Sequence, residues 1–477
     1  MSSVSAVNAL LNGTTDTSTN PIDISSILSA ISGNTAAIDV NSAVASAIYA
    51  DRAPERVWQN DQTTLSNETS ALTAIQQATT SVENDLQSLN SLTGPLSQRT
   101  VTSSSSNVTA TAASGTVAGS HTVVVNNLAT TSSWYSGVAS SSTATLPTSS
   151  FTITTKSGTS QTINTGSGTP GDTLTDLANA INGDNLGVTA SVVTDSTGSR
   201  LAIVANTSGA AADFSITSGT GGLGFTQATV GQDASLTVDG IPVDSASNTV
   251  TGAIPGVTLT LLGASSTPAD LTVASDASGV ATAINQFVSD YNTAIGLINT
   301  QYTVDSSGNE GVLASDSTLS SLQSSLEGLL NYASTPSTGT TSTVNNLSDL
   351  GITENSDGTL SVDSSTLDNA LINNPNDVQN FLLGSALNGF ANSAVNALNT
   401  FTSPVNGAFT LDLNGINNQN TDLTNEINNF ETNYIANQQT SLTAEFSSAE
   451  EALQQLPSQL QAIQAELGNN SNSNGNG

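Results

Sequence analysis

The chain has no cysteine, one histidine, and only five lysines and arginines against 38 aspartates and glutamates in 477 residues. Without thiolates, disulfides and cysteine metal sites are excluded. The lone histidine, His121, heads the apparent strand HTVVVNNLA and reads as a surface residue. Neither a Cys–His dyad nor a histidine-rich transition-metal site can be assembled around it. The shortage of bases leaves a formal net charge of −33, so nucleic acid and anionic membranes are poor partners. Acids are not abundant either. Charged residues make up 9% of the chain, against roughly 25% in ordinary usage, and Ser, Thr, Asn and Gln fill the surface instead.

Other absences narrow the chemistry. Aromatic residues are 4%, with two tryptophans, which leaves little for the stacking platforms of a sugar cleft built on paired carboxylates. No G-x-S-x-G precedes a helix and no G-x-x-x-x-G-K-[ST] is present; the sole lysine, Lys156, lies in FTITTKSG. No run reaches 18 apolar residues, so no membrane span is expected. The N-terminal MSSVSAVNALLNGTTDTSTNP lacks the basic region and long apolar stretch of a secretory signal peptide. Export, if it occurs, is expected by a route without a cleaved signal. No enzyme, cofactor, catalytic residue or metal site is expected.

What the chain does contain is an alternation of helical and β text. Residues 1–37 are Ser/Thr/Asn-rich with one apolar patch at 22–31, and read as disordered in isolation. Over 38–99 the period is helical. Leu65, Leu72, Ile75, Val82, Leu86 and Leu89 make a heptad seam, with Glu68 and Thr79 as polar interruptions. Pro54 separates this seam from an earlier apolar pair, Val44 and Ile48, so a kink or two helices are expected. From 100 to 277 the chain is expected to form two β-rich domains, with segments such as FTITT, RLAIVAN, SLTVDGIPV and GVTLTLL bounded by Gly, Asp, Asn or Pro. One helix interrupts them, capped by Asp172 and carrying Leu174, Leu177 and Ile181.

Helical text resumes over 278–445. Ile284, Val288, Tyr291, Ile295, Ile298 and Tyr302 form one seam, and Leu319, Leu322, Leu326 and Leu329 another. Leu423, Ile427, Phe430, Tyr434, Leu442, Phe446, Ala449, Leu453, Leu456, Leu460, Ile463 and Leu467 continue toward the C-terminus, with Pro457 expected to kink the helix. Residues 446–477 read as a C-terminal coiled-coil helix and a solvated tail. The fold class is thus α+β and multidomain: a helical leg from both chain ends, with β-rich head domains as a discontinuous insertion. Val44, Ile48, Leu453, Leu456, Leu460, Ile463 and Leu467 are the candidate oligomerisation residues.

One acidic stretch, LSDLGITENSDGTLSVDSSTLDNALINNPNDVQNFL at 347–382, invites reading as a metal loop. Aligning Gly358 with the sixth position of a calcium loop puts Thr353 first and Ser364 twelfth, where Asp and Glu are required. The stretch is better read as a hairpin near 352–363. Asp363 then caps a helix carrying Leu367, Ala370 and Leu371, and Asn374-Pro375 starts the next, with Asn374 as cap and Asp377 in its first turn.

This same stretch resembles the C-terminal signature of the flagellar filament-capping, or hook-associated protein 2, family. DRAPERVWQNDQTTLSNETSALTAIQQATTSVENDLQSL resembles the family's N-terminal helical region. DTLTDLANAINGDNLGVTASVVTDSTGSRLAIVANTSGA, near 172–205, is similar to the hook-filament motif shared with some flagellins. AINQFVSDYNTAIGLIN and GVLASDSTLSSLQSSL resemble the re-entry into the helical leg. The resemblance implies a structural protein exported through the flagellar type III system to the filament tip outside the cell. It implies a ring of identical subunits, commonly five, that retains emerging flagellin and promotes its folding and insertion. Implied partners are flagellin, hook-filament junction proteins, an export chaperone and, in some bacteria, mucin or a host surface. Two other readings fit parts of the pattern: a flagellin-like or junction subunit, and a surface adhesin.

Overall fold

A computed structural model describes residues 39–306, 308–334, 342–384 and 388–472. The segments expected to be disordered at 1–37 and the last five residues of the expected tail lie outside this range. In chain order the helices are α1 (Val40–Asp51), α2 (Ala53–Leu89), α3 (Leu174–Gly183), α4 (Ala277–Tyr302), α5 (Ser317–Leu330), α6 (Ser364–Asn373), α7 (Pro375–Leu383), α8 (Phe390–Thr402), α9 (Ala408–Asn429) and α10 (Ala436–Asn472). All but α3 lie outside the β region, which runs from Arg99 to Ser275. The chain divides into two compact units. One comprises 1–81, 293–326 and 397–477; the second comprises 82–292 and 327–396.

In the first unit the seams behave as heptads should where several helices contribute. Leu72 and Ile75 of α2, Ile295 and Ile298 of α4, and Leu319, Leu322 and Leu326 of α5 are all at most 2% exposed. Thr79, a polar interruption of the α2 seam, is buried because its hydroxyl donates to the Ile75 carbonyl at 2.8 Å, satisfying it within the helix. Glu68, the second interruption, has its carboxyl pushed up, first by burial and then by the charge of Asp316. Tyr302 departs from the expected α4 seam, with 39% of its surface exposed where the helix ends.

Among the described residues the second unit holds three cores. The helical one buries Val82, Leu86 and Leu89 of α2 and Ile284, Phe287, Val288 and Tyr291 of α4. Its aromatic centre stacks Phe381 on Phe390 at 5.6 Å, with Phe287 edge-on to Phe390 at 6.0 Å. The acidic stretch folds here as expected. Ile352–Glu354 pairs with Leu360–Val362, and the Asp363 carboxylate accepts from the Ser365 and Thr366 amides to cap α6. Gly351 precedes the hairpin at φ 77°, where a Cβ would lie 2.8 Å from the Asp363 carbonyl oxygen, so only glycine fits. Asn374 occupies the N-cap of α7 but its side chain makes no capping bond. Asp377 instead accepts from the backbone and hydroxyl of Thr343 at 2.9 and 2.8 Å.

The two β cores are nested in the chain. The first joins a five-stranded antiparallel sheet, ordered Arg99–Ser103, Ser265–Ser275, Gly119–Asn127, Ala234–Val238 and Ile241–Ser245, to a three-stranded sheet through Val123, Leu236, Leu259 and Leu271. Its strands come from both sides of residues 133–229, which form the second core: a four-stranded sheet, a three-stranded sheet and α3, packed on Phe151, Ile163, Leu177 and Ile203. The cap of α3 corrects the sequence reading. Thr173, not Asp172, is the N-cap, accepting from the Asp176 amide at 3.1 Å. Its hydroxyl in turn donates to the Asp176 carboxylate, so Thr173 fills the first-turn site that Asp172, one residue too early, cannot reach.

Candidate assembly surface

The terminal helices of the first unit begin at a break. α1 stops at Asp51 and α2 starts at Ala53, with Pro54 in the first turn of α2, so two helices form here. Asp39 caps α1, its side chain accepting from the Ser42 amide. Across from them, α9 and α10 are joined without a loop by one π-helical turn, Phe430–Ile435.

That turn sets which side chains meet. A π turn inserts one residue into the helical period and rotates everything beyond it. The heptad spacing places Tyr434 inward. In the structure Tyr434 is 47% exposed and Ile435 is 2% exposed. Ile435 forms a core with Val44 and Ile48, flanked by Val40, Phe430, Leu442 and Phe446. Phe430 lies edge-on to Trp58 with ring centroids 5.3 Å apart. The α9 and α10 residues thus close over α1 and the start of α2.

The charges at the break are shared by one arginine. Arg52 sits where α1 hands over to α2, and its Nη2 donates to Glu431 Oε2 at 2.8 Å. Its Nη1 is 2.7 Å from Glu431 Oε1 and 3.1 Å from Glu55 Oε2. Burial pushes the Glu55 carboxyl up, and a hydrogen bond to the Glu431 side chain pushes the same way, with Arg52 opposing both. Next to this group, Arg56 lies over the Tyr49 ring at 4.4 Å and donates to the Tyr49 carbonyl at 2.8 Å. Arg99 and Arg200 are also occupied locally, by the carbonyls of Thr116 and Ser136. These arginines lock their own neighbourhoods.

The sequence-predicted assembly residues fall into two groups. Val44 and Ile48 are 5% and 9% exposed and are brought together with Ile435. Leu453 lies on α10 beyond that core and is 43% exposed. Leu456, Leu460, Ile463 and Leu467 lie on the α10 backbone, and their side chains fall outside the described ones. The helix runs on through Pro457 and continues to Asn472, into the Asn/Ser/Gly run expected to be tail. Ile435, Trp58 and Glu431 were not signalled by heptad spacing. The acid–arginine alternation Asp51, Arg52, Glu55 and Arg56, running into an aromatic at Trp58, was the available hint.

The comparisons with known proteins agree with this layout. The family model for the flagellar hook-associated protein 2 N-terminus matches residues 36–132, and the one for its C-terminus matches 231–458. Between them, the flagellin hook IN motif matches 150–207. The boundaries at 132 and 231 coincide with the limits of the second, nested β core. The chain is 32% identical over 232 residues to the B-type flagellar hook-associated protein 2 of Pseudomonas aeruginosa, covering 42% of this chain and 48% of that one. It is 30% identical over 285 residues to the flagellar hook-associated protein 2 of Aeromonas caviae, covering 55% and 60%. The chain therefore spans about half the length of the curated relatives it matches. The crystal structure of the D1-D2-D3 domains of the Escherichia coli flagellar cap protein FliD superposes with a TM-score of 0.55 at 24% identity, covering 73% of this chain and 99% of that one, which establishes a shared fold. With both ends of the family's sequence matched around the nested insertion, this chain belongs to the flagellar hook-associated protein 2 family.

Proposed function

We propose that this protein is the structural cap of a bacterial flagellar filament. It acts outside the cell at the distal tip, after export through the flagellar type III system. Copies of the chain assemble there into a small ring, probed below as a pentamer. The ring holds emerging flagellin, promotes its folding and insertion, and prevents its loss. Its other partners are the hook-filament junction proteins and an export chaperone, and the β-rich cores are available to contact mucin or a host surface.

The single observation that carries the reading is the pair of family models at 36–132 and 231–458, in order, around a β insertion. Three properties of the chain support it. The absence of cysteine avoids cross-links in a polypeptide that is threaded through a narrow channel. The reading has no catalytic step, in keeping with the scarcity of bases. The exposed Leu453 on α10 offers apolar surface beyond the Ile435 core. In this reading Val44 and Ile48 hold α1 against α10, while Leu453, Leu456, Leu460, Ile463 and Leu467 form the tip interface.

Electron microscopy of the purified chain, with mass measurement of the particle, tests the proposal. A closed ring of five copies supports the cap. The hook IN motif at 150–207 favours one second reading, a filament or junction subunit; a helical filament would establish that instead. Monomers or sheets would point to the adhesin reading.

A further inference from the structure

The α2 seam is closed at Leu72 and Ile75 but open at Leu65, which is only half-buried, as is Leu423 of α9 across from it. Gln62 Nε2 donates to Thr424 Oγ1 at 2.9 Å and ties the two helices at this level. Beside that tie lies an open groove of about 430 Å³, with Leu65 and Leu423 on its floor and the exposed carboxylates of Asp61, Asp422 and Glu426 on its rim. No lysine or arginine lines it.

Among the described residues this groove lies between two helices with two apolar side chains in it, the surface an amphipathic helix docks on with apolar side chains repeating every three or four residues. The rim fixes the sign of that helix: three carboxylates without a base favour lysine and arginine beside its apolar stripe. A second copy of this chain is poorly equipped to supply it. The chain has five Lys+Arg in all, and Arg52 and Arg56, the arginines of its terminal helices, are held by Glu431 and Tyr49. We propose that the groove between α2 and α9 receives a basic amphipathic helix from a different protein. The proposal does not depend on the capping role, because it rests on the groove alone.

The absence of cysteine makes the test clean. A full-length Thr64→Cys chain, labelled with a fluorophore at that exposed rim position, is titrated with a three-heptad probe peptide carrying Leu at the two seam positions and Lys elsewhere. A peptide of the same composition in scrambled order controls for general attraction to an acidic chain. The expected result is a saturable, one-to-one change in fluorescence, with the scrambled peptide at least about tenfold weaker. Asp422→Lys/Glu426→Lys, and separately Leu423→Ala, should each weaken the ordered peptide by a similar factor. The charge variant sits on exposed positions, so it preserves the test even if Leu423→Ala fails to fold. Equal binding of the scrambled peptide, or unchanged affinity in the charge variant, overturns the proposal. So does loss of self-association in the charge variant, which would assign the groove to a second copy.

Discussion

Arg52 and Glu431, 379 residues apart, are joined by a 2.8 Å hydrogen bond from Nη2 to Oε2, and the same guanidinium reaches Glu55 at 3.1 Å. One cation therefore serves two adjoining carboxyl groups, and the Glu55 side chain is only 8% exposed. Replacing Arg52 with Ala leaves both acids facing each other. Charge-assisted bonds contribute roughly 1.5–3 kcal/mol, and the partial exposure of Arg52 and Glu431 screens this to about 1–2 kcal/mol. The expected outcome is a loss of that size in urea unfolding at pH 7. The double variant Arg52→Ala/Glu431→Gln should recover part of it, because the repulsion goes with the second acid. An R52A chain as stable as wild type would show that the pair contributes nothing.

The π turn makes a sharper prediction about neighbouring residues. If Phe430–Ile435 rotates the helix as observed, Ile435→Ala opens a cavity against Val44 and Ile48 and costs about 2–4 kcal/mol. Tyr434→Ala removes an exposed ring stacked on Phe430 at 5.1 Å and costs less than about 1 kcal/mol. Chemical denaturation of the two variants decides it. The reverse order would mean that the helix keeps an unbroken α period.

These two sites also mark what sequence reading reaches. Heptad seams place Leu72, Ile75, Ile284, Ile295 and Leu322 correctly, because burial on a helix repeats every three or four residues and the spacing is visible. Ile435 escapes, because a π turn leaves no residue signature and shifts the period by one. The cap of α3 falls on Thr173 rather than Asp172 for a similar reason: both are good caps, and only the first turn's geometry chooses between them. The nesting of residues 133–229 inside the first β core is also invisible to strand spacing. Strand pairing such as Arg99–Ser103 with Ser265–Ser275 joins segments over 160 residues apart. The hairpin and the Asp363 cap were legible, because Asp-Gly turns and N-cap carboxylates act locally.

A second carboxylate pair sets a pH dependence. Burial, then the charge of Asp290 and a hydrogen bond to it, push Asp85 up to about 6. The folded state therefore holds this proton more tightly than the unfolded chain, whose aspartates titrate near 3.9. The stability contributed by that proton is full below about pH 4 and is lost as pH rises through about 6. Asp363 behaves oppositely: its hydrogen bonds from Ser365 and Thr366 hold it low, so its contribution is lost only as pH falls below the usual carboxylate range. Comparing Tm between wild type and Asp85→Asn isolates the first effect. The variant should match wild type near pH 4 and exceed it increasingly up to pH 7.5. A constant difference across that range would assign the variant's effect to packing.

The last prediction concerns the proposed cap itself. Removing residues 446–477 deletes Phe446 from the Ile435 core together with Leu453, Leu456, Leu460, Ile463 and Leu467. The two β cores draw their buried residues from between Val108 and Val273, so they should stay folded and keep their near-ultraviolet dichroism. Loss of the apolar α10 extension should nonetheless leave the purified chain unable to close a ring. Cells carrying only the truncated chain should release flagellin into the medium and fail to extend filaments. The two readouts separate the causes. Folded β cores with no ring place the defect in assembly, whereas loss of the β signal would make it a folding defect. Normal filaments from the truncated chain would remove α10 from the tip interface altogether.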